Sequence, residues 1–224
     1  MTDLADPPIA TVDAVVFTVD AGRLRVLLHK RPEAPHAGVW ALPGGYIRPA
    51  EDSDTTASIT RILRDKTGAA GFYLEQLATY SGAARDPRGW SLSVAHLALV
   101  PREKLHLSAD RETSLTDVAT LPNLAFDHAR IIAEALARLR GKGVYSTMPA
   151  TLLGESFTLS ELHAIYEAVL GTSINAASFR RKIQALDVLE DTGEKTGGPS
   201  RRPAALYRLR DGVRTFTGTQ LGAG

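Results

Sequence analysis

Apolar residues follow two different periods along the chain. Ala10 to Asp20 (ATVDAVVFTVD) is a nearly continuous apolar and β-branched run. After the turn AGR, Arg23 to Lys30 (RLRVLLHK) predicts a second strand and hence a hairpin. A proline-rich loop, RPEAPHAG, leads to VWALPGGYI. One of Asp52, Ser53 and Asp54 is then expected to cap a helix that runs to about Thr67 and stops at Gly68. Tyr73–Tyr80 and Trp90–Val100 predict further strands, joined by the turn-rich SGAARDPRG. Asp127 to Arg140 (DHARIIAEALARLR) has the 3.6-residue period, with Ile131, Ile132, Ala135, Leu136 and Leu139 on one side.

The pattern changes after GKG at 141–143, and helices dominate from there. TMPATLLG predicts a short helix and Phe157 a short extended piece. Thr158 and Glu161 have capping-box spacing before a helix that ends at Gly171. Asn175 caps AASFRRKIQALDVL, whose apolar stripe is Phe179, Ile183 and Leu186. The polar DTGEKTGGPSRRP predicts a hairpin tip, and AALYRLR returns as a strand. A boundary is expected near 141–148, giving domains over 1–145 and 146–224. The sequence shows no internal repeat.

Composition narrows the class. The 224 residues, 44% hydrophobic and 23% charged, are those of an ordinary globular chain with material for a real core. No run approaches the ~18 apolar residues of a membrane span. The N-terminal MTDLADPPIA lacks a basic, then apolar, export pattern, and cysteine is absent. A cytoplasmic location is the expectation. Net charge is only +1, so any basic surface must be local.

Such a surface is predicted in the last third. Between residues 178 and 210 lie eight basic and four acidic side chains. With Phe179 and Ile183 facing a core, Arg180, Arg181 and Gln184 must face outward, with Lys182 at the edge. Lys195, Arg201 and Arg202 sit on the glycine-rich hairpin. Helix, turn, helix and basic hairpin is the order of a winged helix-turn-helix, whose second helix fits the major groove of double-stranded DNA. Single-strand and RNA readers offer stacking aromatics, which this face lacks.

The stretch Pro43–Gly68, PGGYIRPAEDSDTTASITRILRDKTG, resembles the Nudix box, G-x5-E-x7-R-E-U-x-E-E-x-G, with U an aliphatic residue. The resemblance implies an α/β/α sandwich. In that pattern glutamates one turn apart gather round Mg²⁺ at a diphosphate. Here Arg61, Leu63 and Gly68 match, but Ile62 and Lys66 stand in carboxylate positions and Asp65 is a shortened survivor. Nine residues separate Glu51 from Arg61 where the pattern has seven; placing the extra two earlier puts Ser53 at the glutamate position. Neither alignment restores the cluster. A lysine there repels a divalent ion and is suited instead to a phosphate.

The two halves together resemble the Nudix-related transcriptional regulators of NAD metabolism, the NrtR type. Beyond the box, the resemblance rests on YLEQLATYSGAARDPRGWSLSVAHLALVP, LAFDHARII, LARLRGK, FTLSELHAIYEAVLG, and SFRRKIQAL followed by RRPAALYRL. RDPRGW is the sharpest of these, with two arginines, an aspartate and a tryptophan in six residues. The resemblance implies a homodimeric regulator, a repressor of NAD biosynthesis or salvage genes, reading a palindromic operator. ADP-ribose or a related nucleotide is the implied effector, with no cofactor required and no hydrolysis. The implied effector site draws on Arg31, Trp40, Gly45, Lys66, Arg85, Asp86, Arg88, Trp90 and His128, the last beside Phe126 and equally suited to packing at a helix N-terminus. An arginine suits a pyrophosphate and an aromatic ring an adenine face. The rival expectation is an active ADP-ribose pyrophosphatase with an accessory nucleic-acid module, using Glu51, Asp52, Asp54 and Asp65 as metal ligands.

Overall fold

The computed structural model describes residues 7–107, 112–197, 203–218 and 220–221. Strands β1 (Ile9–Asp20) and β2 (Arg23–Lys30) form the expected hairpin. Its turn residues, Ala21 and Gly22, both have positive φ (49° and 73°), the conformation whose twist matches a two-residue connection. The short strands β3 (Trp40–Ala41) and β4 (Gly44–Tyr46) come after it, then helix α1 (Thr55–Thr67). Strands β5 (Tyr73–Gly82), β6 (Ser91–Leu99) and β7 (Thr113–Asp117) and helix α2 (His128–Val144) come next. The sheet has the order β3-β2-β1-β6-β5, with β4 paired to β1 and β7 paired to β2.

Strand β1 is central and is buried continuously from Val12 to Thr18, which explains why its sequence does not alternate. Its one carboxylate within that run, Asp13, is 7% exposed. Helix α1 starts where Asp54 accepts a hydrogen bond from the Ala57 amide at 2.7 Å and stops at Gly68, whose φ is 66°. Ile59, Ile62 and Leu63 supply its buried face.

The remaining elements are α3 (Leu159–Leu170), α4 (Ala176–Ala185), β8 (Leu189–Lys195) and β9 (Ala205–Leu209). The capping box at Thr158 and Glu161 is present in both directions. Gly171 ends α3 with φ 68°, and the Asn175 side chain caps α4. Phe157, Leu162, Tyr166, Phe179, Ile183 and Val188 form the core here, closed by Phe216 and Leu221. Phe157 is an isolated bridge to Tyr207, as its extended reading anticipated.

Three expectations need correction, and one strand was not anticipated. Helix α2 does not end at Arg140 but continues through Gly141 and Gly143. Gly143 is a close-approach position: a Cβ there would lie 3.1 Å from Pro149 Cγ and 3.4 Å from a Leu170 methyl. Close packing therefore asks for glycine at a helical position that propensity alone would not give it. Helix α4 ends at Ala185, short of the expected Leu189, because Asp187 takes a left-handed φ of 49° and turns the chain. The segment DTGEK belongs to β8, so the wing tip is shorter than its composition implied. Strand β7 has no apolar run to announce it and forms by pairing with β2, Leu27 opposite Leu115.

By internal packing the chain divides into two compact units. Of the described residues, one holds those up to 17, 25–98 and 104–135; the other holds 18–24, 99–103 and those from 136. Among the described residues no helix is long and apolar enough to cross a membrane.

Candidate functional site

In the sheet unit, β1, the end of β2, β4, the last turn of α1, the 83–90 loop and the start of α2 surround a cavity of about 290 Å³. Its floor is a polar network. The Leu42 amide donates to His128 Nδ1 at 2.9 Å, and His29 Nε2 lies 3.0 Å from the Leu42 carbonyl oxygen. Because Nδ1 accepts, the His128 proton belongs on Nε2, which faces Asp13 Oδ1 at 3.8 Å. Ser93 Oγ donates to the other Asp13 oxygen at 2.6 Å. Gly44 is paired with Asp13 across β1 and β4, and a Cβ at Gly44 would come within 2.0 Å of Asp13 Oδ1. Only glycine lets the loop close over the strand here.

Burial pushes His128 below its ordinary range. Burial and then the nearby Lys66 charge push His29 down to about 4 from 6.5. Both rings are therefore neutral near pH 7. Between about pH 6.5 and pH 4 the unfolded chain binds a proton at His29 that the folded chain refuses. Stability from this group is full above that window and falls as pH is lowered through it. The urea midpoint of the wild type is expected to drop from about pH 7 to about pH 5, and His29→Gln is expected to lessen the drop. An equal midpoint at both values contradicts this.

Four cations ring the cavity. Arg88 makes a bidentate pair with Asp86 at 3.0 and 2.7 Å and donates to the Tyr46 hydroxyl at 2.6 Å. That pairing holds Asp86 below the usual carboxylate range. Arg85 grips Asp127 with bonds of 3.2 and 2.9 Å. Lys66 Nζ donates to the Gly44 carbonyl at 2.9 Å. Arg31 differs: its Nε donates to the Pro35 carbonyl at 2.7 Å, and its guanidinium lies 4.8 Å from the Phe126 ring centre. Among the described residues no carboxylate lies within ion-pair distance of Arg31.

The structure thus brings Arg31, Gly45, Lys66, Arg85, Asp86, Arg88 and His128 to one cavity. Trp40 and Trp90 do not line it. Trp40 lies in β3 with Lys30 Nζ 5.3 Å from its ring centre, and Trp90 is 50% exposed, its carbonyl accepting the Ile9 amide at 3.0 Å. Asp13, His29 and Tyr46 line the cavity without having been singled out. The one available signal was the acidic residue inside the apolar run ATVDAVVF.

The carboxylates of the rival reading go separate ways. Asp52 receives both Arg61 nitrogens at 2.7 Å, the Arg48 amide at 2.8 Å and the Ser58 hydroxyl. The Arg61 bond above all holds its carboxyl far below the ordinary range. Asp54 caps α1, Glu51 pairs with Arg48 at 3.1 Å, and Asp65 lies 3.8 Å from Arg64. Ile62 is buried against Gly45. Among the described residues no three His, Cys, Asp or Glu side chains are grouped to hold a metal ion. The donor set on α1 does not fit Mg²⁺, which asks for converging oxygens.

In the second unit, Arg180, Arg181 and Gln184 are exposed on α4 while Phe179 and Ile183 are fully buried. Lys182 is half-buried and donates to the Gln220 carbonyl at 3.0 Å. Arg180 Nη2 contacts Ser160 Oγ at 3.2 Å. Lys195 is exposed at the end of β8; Arg201 and Arg202 lie outside the described residues. Two further arginines expected to add charge are committed within the wing. Arg208 pairs with Glu190 at 2.9 Å and Arg210 with Asp187 at 3.0 Å.

Comparison with known proteins agrees with both halves. Residues 7–135 match the NUDIX domain family, and residues 149–209 match the NrtR DNA-binding winged helix domain. The chain is 40% identical over 207 residues to the ADPR responsive transcriptional repressor NtrR of Acinetobacter baylyi, covering 90% of this chain and 82% of that protein. The crystal structure of Shewanella oneidensis NrtR complexed with a 27mer DNA superposes with a TM-score of 0.83 at 39% identity, over 90% of this chain and 94% of that one. The NUDIX domain of the same protein, complexed with ADP ribose, gives 0.56 at 35% identity, over 62% and 93%. An ADP-ribose pyrophosphatase of Methanocaldococcus jannaschii is 32% identical over 128 residues, 57% of this chain and 72% of that one. The chain belongs to the NrtR family of transcriptional regulators, with a Nudix fold followed by a winged helix.

Proposed function

We propose that this protein is a transcriptional repressor of NAD biosynthesis or salvage genes whose grip on DNA is set by ADP-ribose or a related nucleotide. The observation that carries the reading is the cavity: four cations, the buried His128 and the half-buried His29 surround it, yet among the described residues the adjoining helix lacks a converging set of metal ligands. Such a site retains a diphosphate without supplying the metal-activated water that cleaves it. Functionally, residues 1–145 form the effector domain and 146–224 the DNA-binding domain. Arg180, Arg181 and Gln184 meet the major groove, with Lys182 and Lys195 at the phosphates. Two copies read a palindromic operator, since a two-fold site is matched by a two-fold protein. The protein works in the cytoplasm and needs no cofactor.

Arg31 is the principal effector anchor, being the cavity arginine without a carboxylate partner among the described residues. Arg31→Ala is expected to weaken ADP-ribose binding by about ten- to hundredfold in calorimetry, the range for a charged hydrogen bond. Operator affinity without effector is expected to stay as in the wild type. Unchanged ADP-ribose affinity in a folded Arg31→Ala protein defeats the assignment.

A further inference from the structure

The mismatch between the helix α1 donor set and Mg²⁺ has a specific chemical counterpart. We infer that the Lys66 ammonium replaces the divalent cation at the diphosphate, so that the cavity takes a nucleoside diphosphate derivative without any metal. The inference rests on the reading of the cavity as a nucleotide site.

Lys66 occupies the second position of the acidic pair in the Nudix pattern, so its stem leaves the helix where a metal-binding carboxylate otherwise would. Its ammonium is fixed by the Gly44 carbonyl at 2.9 Å. That carbonyl belongs to the sheet, because Gly44 and Gly45 are paired to Asp13 and Val12 of β1. The side chain lines the main cavity and also the adjoining hollow that contains Arg48 and Arg61. Its field is felt inside the cavity: it is the second cause of the low proton affinity of His29. One turn earlier Ile62 is buried, so the neighbouring ligand position offers hydrocarbon in place of oxygen.

An ammonium and a divalent ion attract the same phosphate oxygens but differ in their effect on water. A bound Mg²⁺ or Zn²⁺ polarises coordinated water towards hydroxide. An ammonium donates hydrogen bonds and supplies charge, and generates no nucleophile. Replacing one by the other keeps recognition and removes the reagent for cleavage, as a sensor requires.

The test is calorimetry on the full chain with ADP-ribose, in EDTA and in Mg²⁺, with inorganic pyrophosphate titrated in parallel. The wild type is expected to bind ADP-ribose equally in both buffers. Lys66→Met is expected to bind about ten- to hundredfold more weakly in both, and Lys66→Arg to stay within a few fold of wild type. Lys66→Glu is expected to bind weakest in EDTA and to regain affinity when Mg²⁺ is added. Circular dichroism melts verify that each variant folds; should Lys66→Met not fold, the Lys66→Glu and Lys66→Arg pair and the wild-type buffer comparison decide. A wild-type affinity that collapses in EDTA overturns the inference, as does a folded Lys66→Met protein that binds like wild type. If pyrophosphate binds in EDTA through Lys66 but ADP-ribose does not bind, the nucleotide reading fails and the role of Lys66 stands. If neither binds, both fail.

Discussion

Arg180→Ala combined with Arg181→Ala is expected to lower operator affinity about hundredfold, and to reduce the slope of log affinity against log salt by about two. Both arginines are exposed on α4, and one turn of that helix already commits Phe179 and Ile183 to the core, so the basic face has a single outward direction. Each arginine that neutralises a phosphate releases about one counterion, and each bidentate contact to a base edge is worth about 1–3 kcal/mol. Neither side chain carries core packing, so the melting temperature is expected to change little. Fluorescence anisotropy of a labelled promoter duplex over a salt series separates the cases. A loss equal on all sequences marks phosphate contacts, whereas loss confined to the operator marks base contacts. Unaltered affinity and slope place the DNA on another surface.

The adjacent position gives the opposite result. Phe179→Ala is expected to destabilise the winged-helix domain by about 3–5 kcal/mol, the usual cost of emptying an aromatic core site. Phe179 is wholly buried, with the His163 and Tyr166 rings both centred 5.2 Å away. Tyr166 in turn donates to the Ser146 carbonyl at 2.8 Å, so a void at Phe179 abuts a buried hydrogen bond as well as apolar neighbours. Collapse into that void is resisted by the ties from α3 to the turn before α4, where His163 Nε2 lies 2.7 Å from the Ile174 carbonyl oxygen and Glu167 accepts the Ile174 amide at 2.8 Å. Chemical denaturation should show the loss directly, and a stability within about 0.5 kcal/mol of wild type would mean the site repacks freely. Operator binding by the fraction that remains folded is expected to be preserved.

Those two neighbours also show what a sequence reveals and what it withholds. The stripe at 179 and 183 fixes the outward face of α4 because a helix has only one period, and charge then identifies the surface. Gly68, Thr158 and Gly171 are equally legible, since caps depend on local geometry alone, and Asp54 is one of the three adjacent candidates that the sequence offers. The cavity floor is different. Asp13, His29 and His128 lie far apart along the chain and meet only through strand register and the Leu42 backbone, which no local pattern encodes. Gly143 misleads for the same reason: the close approach of Leu170, which asks for a residue without a side chain there, comes from a helix far along the chain. The wing arginines show a further limit, because counting Arg208 and Arg210 as basic surface ignores the acids that bind them.

Effector and operator are linked by free energy, so a nucleotide that changes DNA affinity must have its own affinity changed by the same factor. Both the sensing and the absence of cleavage are read by anisotropy of the labelled operator during an ADP-ribose titration in Mg²⁺, with the nucleotide then recovered and identified by chromatography. A sensor that does not consume its effector should show an operator affinity altered at least about tenfold, a coupling of roughly 1.4 kcal/mol, and ADP-ribose recovered whole. Operator affinity indifferent to ADP-ribose, or steady release of AMP at an enzymatic rate, would contradict it.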